Sequence, residues 1–99
     1  MKFKPTLEIA ENSVKQCIIE YNQKFKDELT VEDLEKLKAK YEKAYKSFNE
    51  DYLENFKMYT IIEIVLVIVE ALCLDSVKQL SLSEEEIKIA AQELYERWV

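Results

Sequence analysis

Glu63 and Glu70 are the side chains best placed to do chemistry, because they interrupt the otherwise apolar run 61–74, IIEIVLVIVEALCL. Seven residues apart, they project from one side of a helix and could form an acid–base pair or supply oxygen ligands to a metal. Two such helices in a dimer would bring four carboxylates together, as in carboxylate-bridged metal bundles. Those bundles also use histidine, and this chain has none. A carboxylate metal-binding protein is therefore the least favoured of the functions considered.

A structural role explains both glutamates better. Glu63 follows Thr60 by three residues, which is the spacing of a capping box, and Glu70 would mark the most exposed line of the same helix. A glutamate buried without a cation would instead have a raised pKa, and could act as a neutral donor or a pH-sensitive lock. Glu63 and Glu70 are therefore also candidate buried carboxylates.

The composition argues against other common chemistries. Among the 99 residues there is no histidine, the commonest general base, and no glycine, which a phosphate-binding loop requires. We therefore predict no catalytic residue, no metal site and no cofactor, in a protein that is not an enzyme. The lack of glycine also argues against a β-sandwich or barrel, and predicts helices that end in Asn, Asp or a polar run.

A lysine stripe offers an alternative function. Lys36, Lys40 and Lys43 fall on one side of the second predicted helix and are candidates for phosphate contacts. Glu32 and Glu50 project from the same side, and a net charge of −6 makes the chain as a whole repel phosphates. Nucleic-acid binding through these lysines is therefore the alternative to the function proposed below.

Three helix starts share one signature, a hydroxyl three residues before a carboxylate, with apolar residues on both sides. In such a capping box the hydroxyl and the carboxylate each accept from a backbone N–H of the first turn. The three pairs are Thr30 with Asp33, Thr60 with Glu63, and Ser83 with Glu86.

These starts and the three- and four-residue spacing of apolar side chains predict four helices. The first runs from Pro5 or Thr6 to 26–28, the second from 31 to 49–51 or to Lys57, the third over 61–74 or on to Leu80, and the fourth over 84–98. Six aromatic residues fall at core spacing and are interpreted as packing residues: Tyr41, Tyr45, Phe48, Tyr52, Phe56 and Tyr59.

The segment 61–69 is ambiguous, because seven of its nine residues are β-branched and would also suit a buried strand. Such a strand would have to pair with its own copy, since the other segments are typical of helices. As a helix, the run 61–74 is apolar on every side and must be covered. A chain of 99 residues offers little material for this, so we expect a second copy to provide it.

The predicted fold is therefore all-α, with about four helices in a single domain, 1–99, that forms an intertwined homodimer around the helix 61–74. The residues predicted for the core or the dimer contact are Ile61, Ile64, Val65, Leu66, Val67, Ile68, Val69, Leu72 and Trp98.

The sequence predicts an intracellular protein that is not secreted. The chain begins without the apolar stretch of a signal peptide, and the run 61–74 would rise only about 21 Å as a helix, short of a bilayer core of roughly 30 Å. We therefore expect no membrane span. Cys17 and Cys73 match no metal or redox spacing, and the sequence leaves open whether they pair.

Several compositional features occur together: dense Lys/Glu alternation over 36–46, six tyrosines, the Ile/Val block 61–69, and no histidine or glycine. In these features and in size the chain resembles the small orphan helical proteins of crenarchaeal filamentous and rod-shaped viruses. The resemblance implies a compact, thermostable homodimer made inside an archaeal host. We therefore expect a non-enzymatic viral or mobile-element protein that binds another macromolecule, namely an unidentified host or viral protein.

Overall fold

A computed structural model describes residues 5–98 of the chain, which form four α-helices and one short β-ladder. The helices are α1 (Leu7–Lys24), α2 (Val31–Lys46), α3 (Tyr52–Ala71) and α4 (Glu84–Trp98). Strands β1 (Leu29–Thr30) and β2 (Ser76–Val77) pair antiparallel, with Leu29 opposite Val77. The prediction of a helical fold with about four helices is confirmed, and the two-residue ladder is an addition. The prediction of no signal peptide depends on residues 1–4, which lie outside the described residues.

Two of the three predicted capping boxes are confirmed. Thr30 Oγ1 accepts from the backbone N–H of Asp33 at 3.1 Å, and Asp33 accepts in return from the N–H of Thr30 at 3.0 Å. Ser83 and Glu86 make the same exchange at 3.2 and 2.9 Å and start α4. These boxes satisfy N–H groups that the first turn of a helix leaves without a helical partner.

The third predicted box is wrong, because Thr60 lies inside α3. Its hydroxyl donates to the carbonyl oxygen of Phe56 at 3.0 Å, and the helix begins eight residues earlier, at Tyr52. The residues between Tyr52 and Thr60 include no Gly or Pro to break the helix, so its backbone bonding continues through Thr60. The second helix ends at Lys46, before both of the predicted ends.

The segment 61–69 is helical throughout, as part of α3. Its β-branched residues have a low intrinsic preference for helix, but they are buried against other helices of the same chain. Tertiary packing therefore decides the structure of this segment over local preference.

Two helices end with residues at positive φ, and the prediction that they would end in Asn, Asp or a polar run is wrong for these ends. Phe48 follows α2 with φ 52°, and Cys73 follows α3 with φ 54°. At Cys73 the backbone forms a Schellman motif, in which Leu74 N–H donates to Val69 at 2.9 Å and Cys73 N–H donates to Glu70 at 3.3 Å. The turn geometry fixes these conformations, although glycine would adopt them at lower cost.

Helix α3 is central, because α1, α2 and α4 all pack against it. Its buried residues are Met58, Ile61, Ile62, Val65, Val67, Ile68 and Val69. The chain therefore covers by itself most of the run that was predicted to need a second copy. The argument that one chain lacks the material to do so is wrong, and homodimer formation stays a prediction without that support. Within residues 5–98, no helix combines the length and the apolar character needed to cross a bilayer.

Candidate interaction surface

Helices α1 and α3 run antiparallel and leave a groove between them. At its floor the thiol of Cys17 donates to the carbonyl oxygen of Ile61, 3.4 Å away. The groove has a volume of about 540 Å³, and its apolar lining includes Ile9, Phe56 and Ile64. It is large enough to accept several side chains of another molecule.

Two ion pairs connect α1 to α3 at one end of this groove. Lys57 Nζ lies 3.2 Å from Glu20 Oε1, and Lys24 Nζ lies 3.5 Å from Glu54 Oε1. Exposed pairs of this kind add little to stability, about 0–1 kcal/mol each. Each pair joins one positive and one negative side chain, so these four side chains add no net charge. Glu50 and Asp51, in the turn before α3, are exposed and make this end of the molecule acidic.

One strip of α3 follows the groove, with residues at three- and four-residue steps: Leu53, Phe56, Thr60, Ile64 and Val67. At the C-terminal end of the strip, Val67 is 3% exposed and shares a small cavity with Leu94 and Trp98 of α4. At the N-terminal end, Phe56 is 49% exposed and Leu53 is 67% exposed. Helix α4 therefore covers one end of the strip and leaves the other end open.

The turn between α2 and α3 adds another exposed side chain, that of Phe48. Ser47 Oγ donates to the carbonyl oxygen of Ala44 at 2.7 Å, and Asn49 Oδ1 accepts from the N–H of Asp51 at 3.0 Å, so the turn is held on both sides of Phe48. The ring of Phe48 is 78% exposed. We refer to Phe48, Leu53, Phe56 and the groove together as the α1/α3 face.

The outer side of α4 is a second surface that combines apolar and charged side chains. It also exposes an apolar side chain, Ile89, which is 45% exposed. Ile89 lines a shallow cavity together with Glu85, Glu93, Glu96 and one basic residue, Lys88. This surface is therefore acidic, and Ile89 is less exposed than Phe48 or Leu53 of the α1/α3 face.

Glu63 and Glu70, the candidate buried carboxylates, are exposed, which contradicts that assignment. Glu70 accepts from Arg97 Nη2 at 2.7 Å, and Glu63 raises the pKa of the neighbouring Tyr59. The two glutamates line one cavity of about 140 Å³ together with Lys38 and Arg97. Two basic side chains therefore lie near this pair. Within residues 5–98, no cluster of three or more acidic or thiol side chains could hold a metal ion.

The predicted lysine stripe is exposed along α2. Lys36 pairs with Glu32 at 3.3 Å, and Lys40 lies 5.6 Å from the centre of the Tyr41 ring. Lys43 is exposed as well. These contacts within one helix are typical of a solvated outer face.

The two cysteines are free thiols in very different surroundings. Cys17 is 2% exposed, and burial, with Glu20 nearby, raises the pKa of its thiol to about 12. It is therefore protonated near neutral pH and does not act as a nucleophile. Cys73 is exposed at the end of α3.

The residues predicted for the core or the dimer contact fall into three groups. Those buried within the chain are Ile61, Val65, Val67, Ile68 and Val69. Those partly buried at its edge are Ile64, Leu66 and Leu72. Trp98 is 38% exposed at the end of α4, so it lies at the edge of the fold rather than in its core.

Sequence patterns did not identify the α1/α3 face. Leu53 was assigned to no face, and Phe48 and Phe56 were interpreted as packing residues of one long stripe. The available signal is the polar run 49–51, which predicts one of two ends for the second helix. The chain turns there, and aromatic residues on either side of the run contact each other, as the packing interpretation predicts: Tyr45 contacts Phe56 and Tyr59, and Phe48 contacts Tyr52.

Comparison of the chain with protein-family models, with curated proteins and with solved structures finds no match. The functional argument therefore depends on the chain's own residues. Among the surfaces described here, the α1/α3 face combines an apolar groove with the most exposed large apolar side chains, Phe48 and Leu53, which gives it the strongest case for a binding role.

Proposed function

We propose that this chain is a small non-enzymatic interaction protein that forms a homodimer and binds another macromolecule. The observation that carries the proposal is the α1/α3 face, where Phe48, Leu53 and Phe56 are 78%, 67% and 49% exposed. Single exposed apolar residues are ordinary, but several large ones beside an apolar groove are typical of protein contact sites. Glu50 and Asp51 lie exposed between Phe48 and Leu53, so this face suits a protein partner better than a phosphate backbone.

The sequence supports binding over catalysis. The chain has no histidine to activate Ser13 or Thr60, whose side chains line the groove. The thiol of Cys17, which also lines it, is held protonated by burial. The groove therefore offers contact area and hydrogen bonding, with no activated nucleophile.

A viral or mobile-element origin inside an archaeal host is part of the same proposal. It is supported by the composition described above and by exposed ion pairs one turn apart, such as Lys36–Glu32 and Lys46–Glu42. Such pairs become more favourable at high temperature. On this proposal the second partner is a host or viral protein inside the cell, and the fold resists heat.

Two measurements test the proposal. Sedimentation velocity from about 1 to about 100 µM should show a dimer that dissociates on dilution, and a folded monomer at every concentration contradicts the homodimer. The purified protein, immobilised in extract of its native host, should retain one macromolecule in fixed ratio, and retention of none contradicts the second part.

A gel shift with duplex DNA and with RNA separates the proposal from its alternative. We expect no shift at low salt, because the chain carries a net charge of −6. A shift that weakens steeply as salt is added would favour the nucleic-acid function through Lys36, Lys40 and Lys43 instead.

A further inference from the structure

We infer that α2 is a cover over the central helix α3, and that it opens as a unit while α1, α3 and α4 stay packed together. Opening takes place within one chain, so the inference goes beyond the proposed function and does not depend on it. Three features of the chain support it: the shallow burial of α2, the contacts that join the other helices, and the strip of α3 that α2 covers.

The sequence of α2 gives it a narrow apolar side. Nine of its sixteen residues are charged, and the large apolar ones recur at three- and four-residue steps along one side. Of these sixteen residues, all of which the structure describes, only Leu34 is buried, whereas α1 and α4 bury four residues each. Val31, Leu37 and Tyr41 are partly buried against the core. The contact of α2 with α3 is therefore long but shallow.

Polar contacts join α1, α3 and α4 to one another. Two ion pairs connect α1 to α3, and Arg97 of α4 donates to Glu70 of α3 at 2.7 Å. The side-chain amide of Asn22, in α1, makes two hydrogen bonds of 2.8 Å with the backbone N–H and carbonyl oxygen of Leu80, shortly before α4. These contacts hold three of the four helices in one body.

The ion pairs of α2 do not connect it to that body. Within residues 5–98, both of its ion pairs, Lys36–Glu32 and Lys46–Glu42, join residues of α2 itself, so neither opposes its separation from α3.

The contacts that cross from α2 to α3 are mainly between rings. The Tyr45 ring lies 5.1 Å from the Phe56 ring and 5.2 Å from the Tyr59 ring, between ring centres. The Tyr59 hydroxyl also hydrogen-bonds to Glu42, which shares it with Glu63 of α3 itself. A segment with few buried side chains and few polar contacts to the rest of a fold opens at a lower free energy than the whole.

Both ends of α2 are anchored, so it opens between fixed points. At its N-terminal end, β1 pairs with β2, and the N–H of Val31 donates to the carbonyl oxygen of Asp75 at 3.2 Å. At its C-terminal end, the turn 47–51 leads directly into α3.

Opening would expose one strip of α3, formed by Tyr59, Ile62 and Leu66 at three- and four-residue steps. Tyr59 contacts Tyr45, and Leu66 lines a cavity together with Val31 of α2. Ile62 lies between them on the same side of α3 and has no exposed surface. Helix α2 therefore controls access to an apolar strip within the most hydrophobic part of the chain.

Native-state hydrogen exchange of the full chain, followed by NMR at low urea concentrations, tests this inference. The slowest amides of 35–46 should exchange together, with protection factors at least about tenfold below those of 14–21 and 61–69, because α2 opens while the other helices stay closed. Equal protection in α2 and in those two segments would overturn the inference.

Two alanine variants make the test more specific. Tyr45→Ala removes the ring contacts with Phe56 and Tyr59, so it should lower protection in α2 by about tenfold and leave α1 and α4 unchanged. Val14→Ala, at a site in α1 with no exposed surface, should instead lower protection in α1, α3 and α4 together.

Circular dichroism establishes that each variant is folded, and the comparison of segments in the wild type needs neither variant. If Tyr45→Ala lowers protection equally in all four helices, α2 belongs to the same body as the others and the inference is wrong. A wild type that is monomeric at every concentration would contradict the proposed homodimer and leave these expected results unchanged.

Discussion

The two halves of α3 differ in how much of their apolar surface the chain itself covers. In the segment 61–69, the most hydrophobic part of the sequence, Ile62, Val65 and Ile68 have no exposed surface. At the start of α3 and in the turn before it, Phe48 and Leu53 are 78% and 67% exposed. The segment predicted to need a partner is therefore covered by α1, α2 and α4, and the less hydrophobic region is the open one.

The contrast between the two halves of α3 shows that the hydrophobicity of a segment and its exposure in the fold are separate properties. Hydrophobicity along a chain identifies residues that need cover, whereas tertiary packing determines which of them remain without it. Val67 and Phe56 lie on the same strip of one helix, yet Val67 is 3% exposed and Phe56 is 49% exposed, because α4 ends over Val67. Association through this strip would therefore use its open N-terminal end.

The largest expected contrast compares Val67→Asp with Leu53→Asp. Val67 is 3% exposed, and Lys38 and Arg97, which line the same cavity, already lie beside Glu63 and Glu70. A further carboxylate buried at Val67 should therefore lower the free energy of unfolding by about 3 kcal/mol. At Leu53 the new charge meets water, so the change should stay within about 0.5 kcal/mol. Urea unfolding followed by circular dichroism, at a concentration where both variants are monomeric, measures the two values. Equal losses of unfolding free energy in the two variants would mean that Leu53 is buried in the folded chain as Val67 is, and that the two regions do not differ.

Unfolding at alkaline pH tests the burial of Cys17, whose thiol contacts Ile61 at the start of the segment 61–69. The pKa of the folded thiol is raised from 9.0 to about 12, so above pH 9 the unfolded chain loses this proton and the folded chain keeps it. The unfolded state then binds fewer protons, and the free energy of unfolding should fall by about 1 kcal/mol per pH unit between pH 9 and 12. The stability difference between wild type and Cys17→Ala should shrink from pH 8 to pH 10.5. Cys73→Ala, at the exposed thiol, is the control, and an unchanged difference for Cys17→Ala would show that its thiol is accessible.

Two alanine substitutions test whether α3 is continuous through Thr60. One replaces Thr30, which caps a helix, and the other replaces Thr60, which does not. Thr30→Ala removes a helix cap and should cost about 1 kcal/mol. Thr60→Ala, in the interior of α3, should change stability by less than about 0.5 kcal/mol, since alanine favours helix. Thermal unfolding of both variants provides the comparison. A loss at Thr60 as large as that at Thr30 would indicate that a helix starts there and that Tyr52–Tyr59 is a separate element.

The smallest expected effects concern the two residues at positive φ. Glycine relieves the backbone at each site, so Cys73→Gly should raise the free energy of unfolding by about 0.5 kcal/mol in the monomer. Phe48→Gly also removes the ring contact with Tyr52, so its gain should be smaller, between about 0 and 0.5 kcal/mol. Phe48→Gly should also weaken association, whereas Cys73→Gly should not. Chemical unfolding and sedimentation velocity measure the two properties separately. A loss of more than about 1 kcal/mol for Phe48→Gly would place its ring in the packing of the single chain.

Local signals in the sequence predicted most of the elements. They failed at the start of α3, which depends on residues outside the local pattern. The starts of α2 and α4 were predicted, because the hydroxyl and the carboxylate of each box lie within one turn. Thr60 and Glu63 carry the same local pattern, but the helix was already established at Tyr52. No local pattern distinguishes these two cases, since they differ in what precedes the threonine.

The candidate surface was less predictable than the fold. Phe48 and Phe56 have the spacing of core residues, and their exposure depends on where α1 and α4 pass over α3. Glu70 could be predicted to lie on an exposed line of α3, but its partner Arg97 lies 27 residues away on α4. Exposure and pairing across the fold are properties of the packed chain, so a single sequence indicates them poorly.

The most direct test of this account is the urea unfolding of Leu53→Glu under conditions where sedimentation shows it to be monomeric. If the chain covers 61–69 by itself, this variant unfolds in one cooperative transition whose midpoint does not depend on protein concentration. A variant that is unfolded whenever it is monomeric would show that the central helix needs the second copy after all.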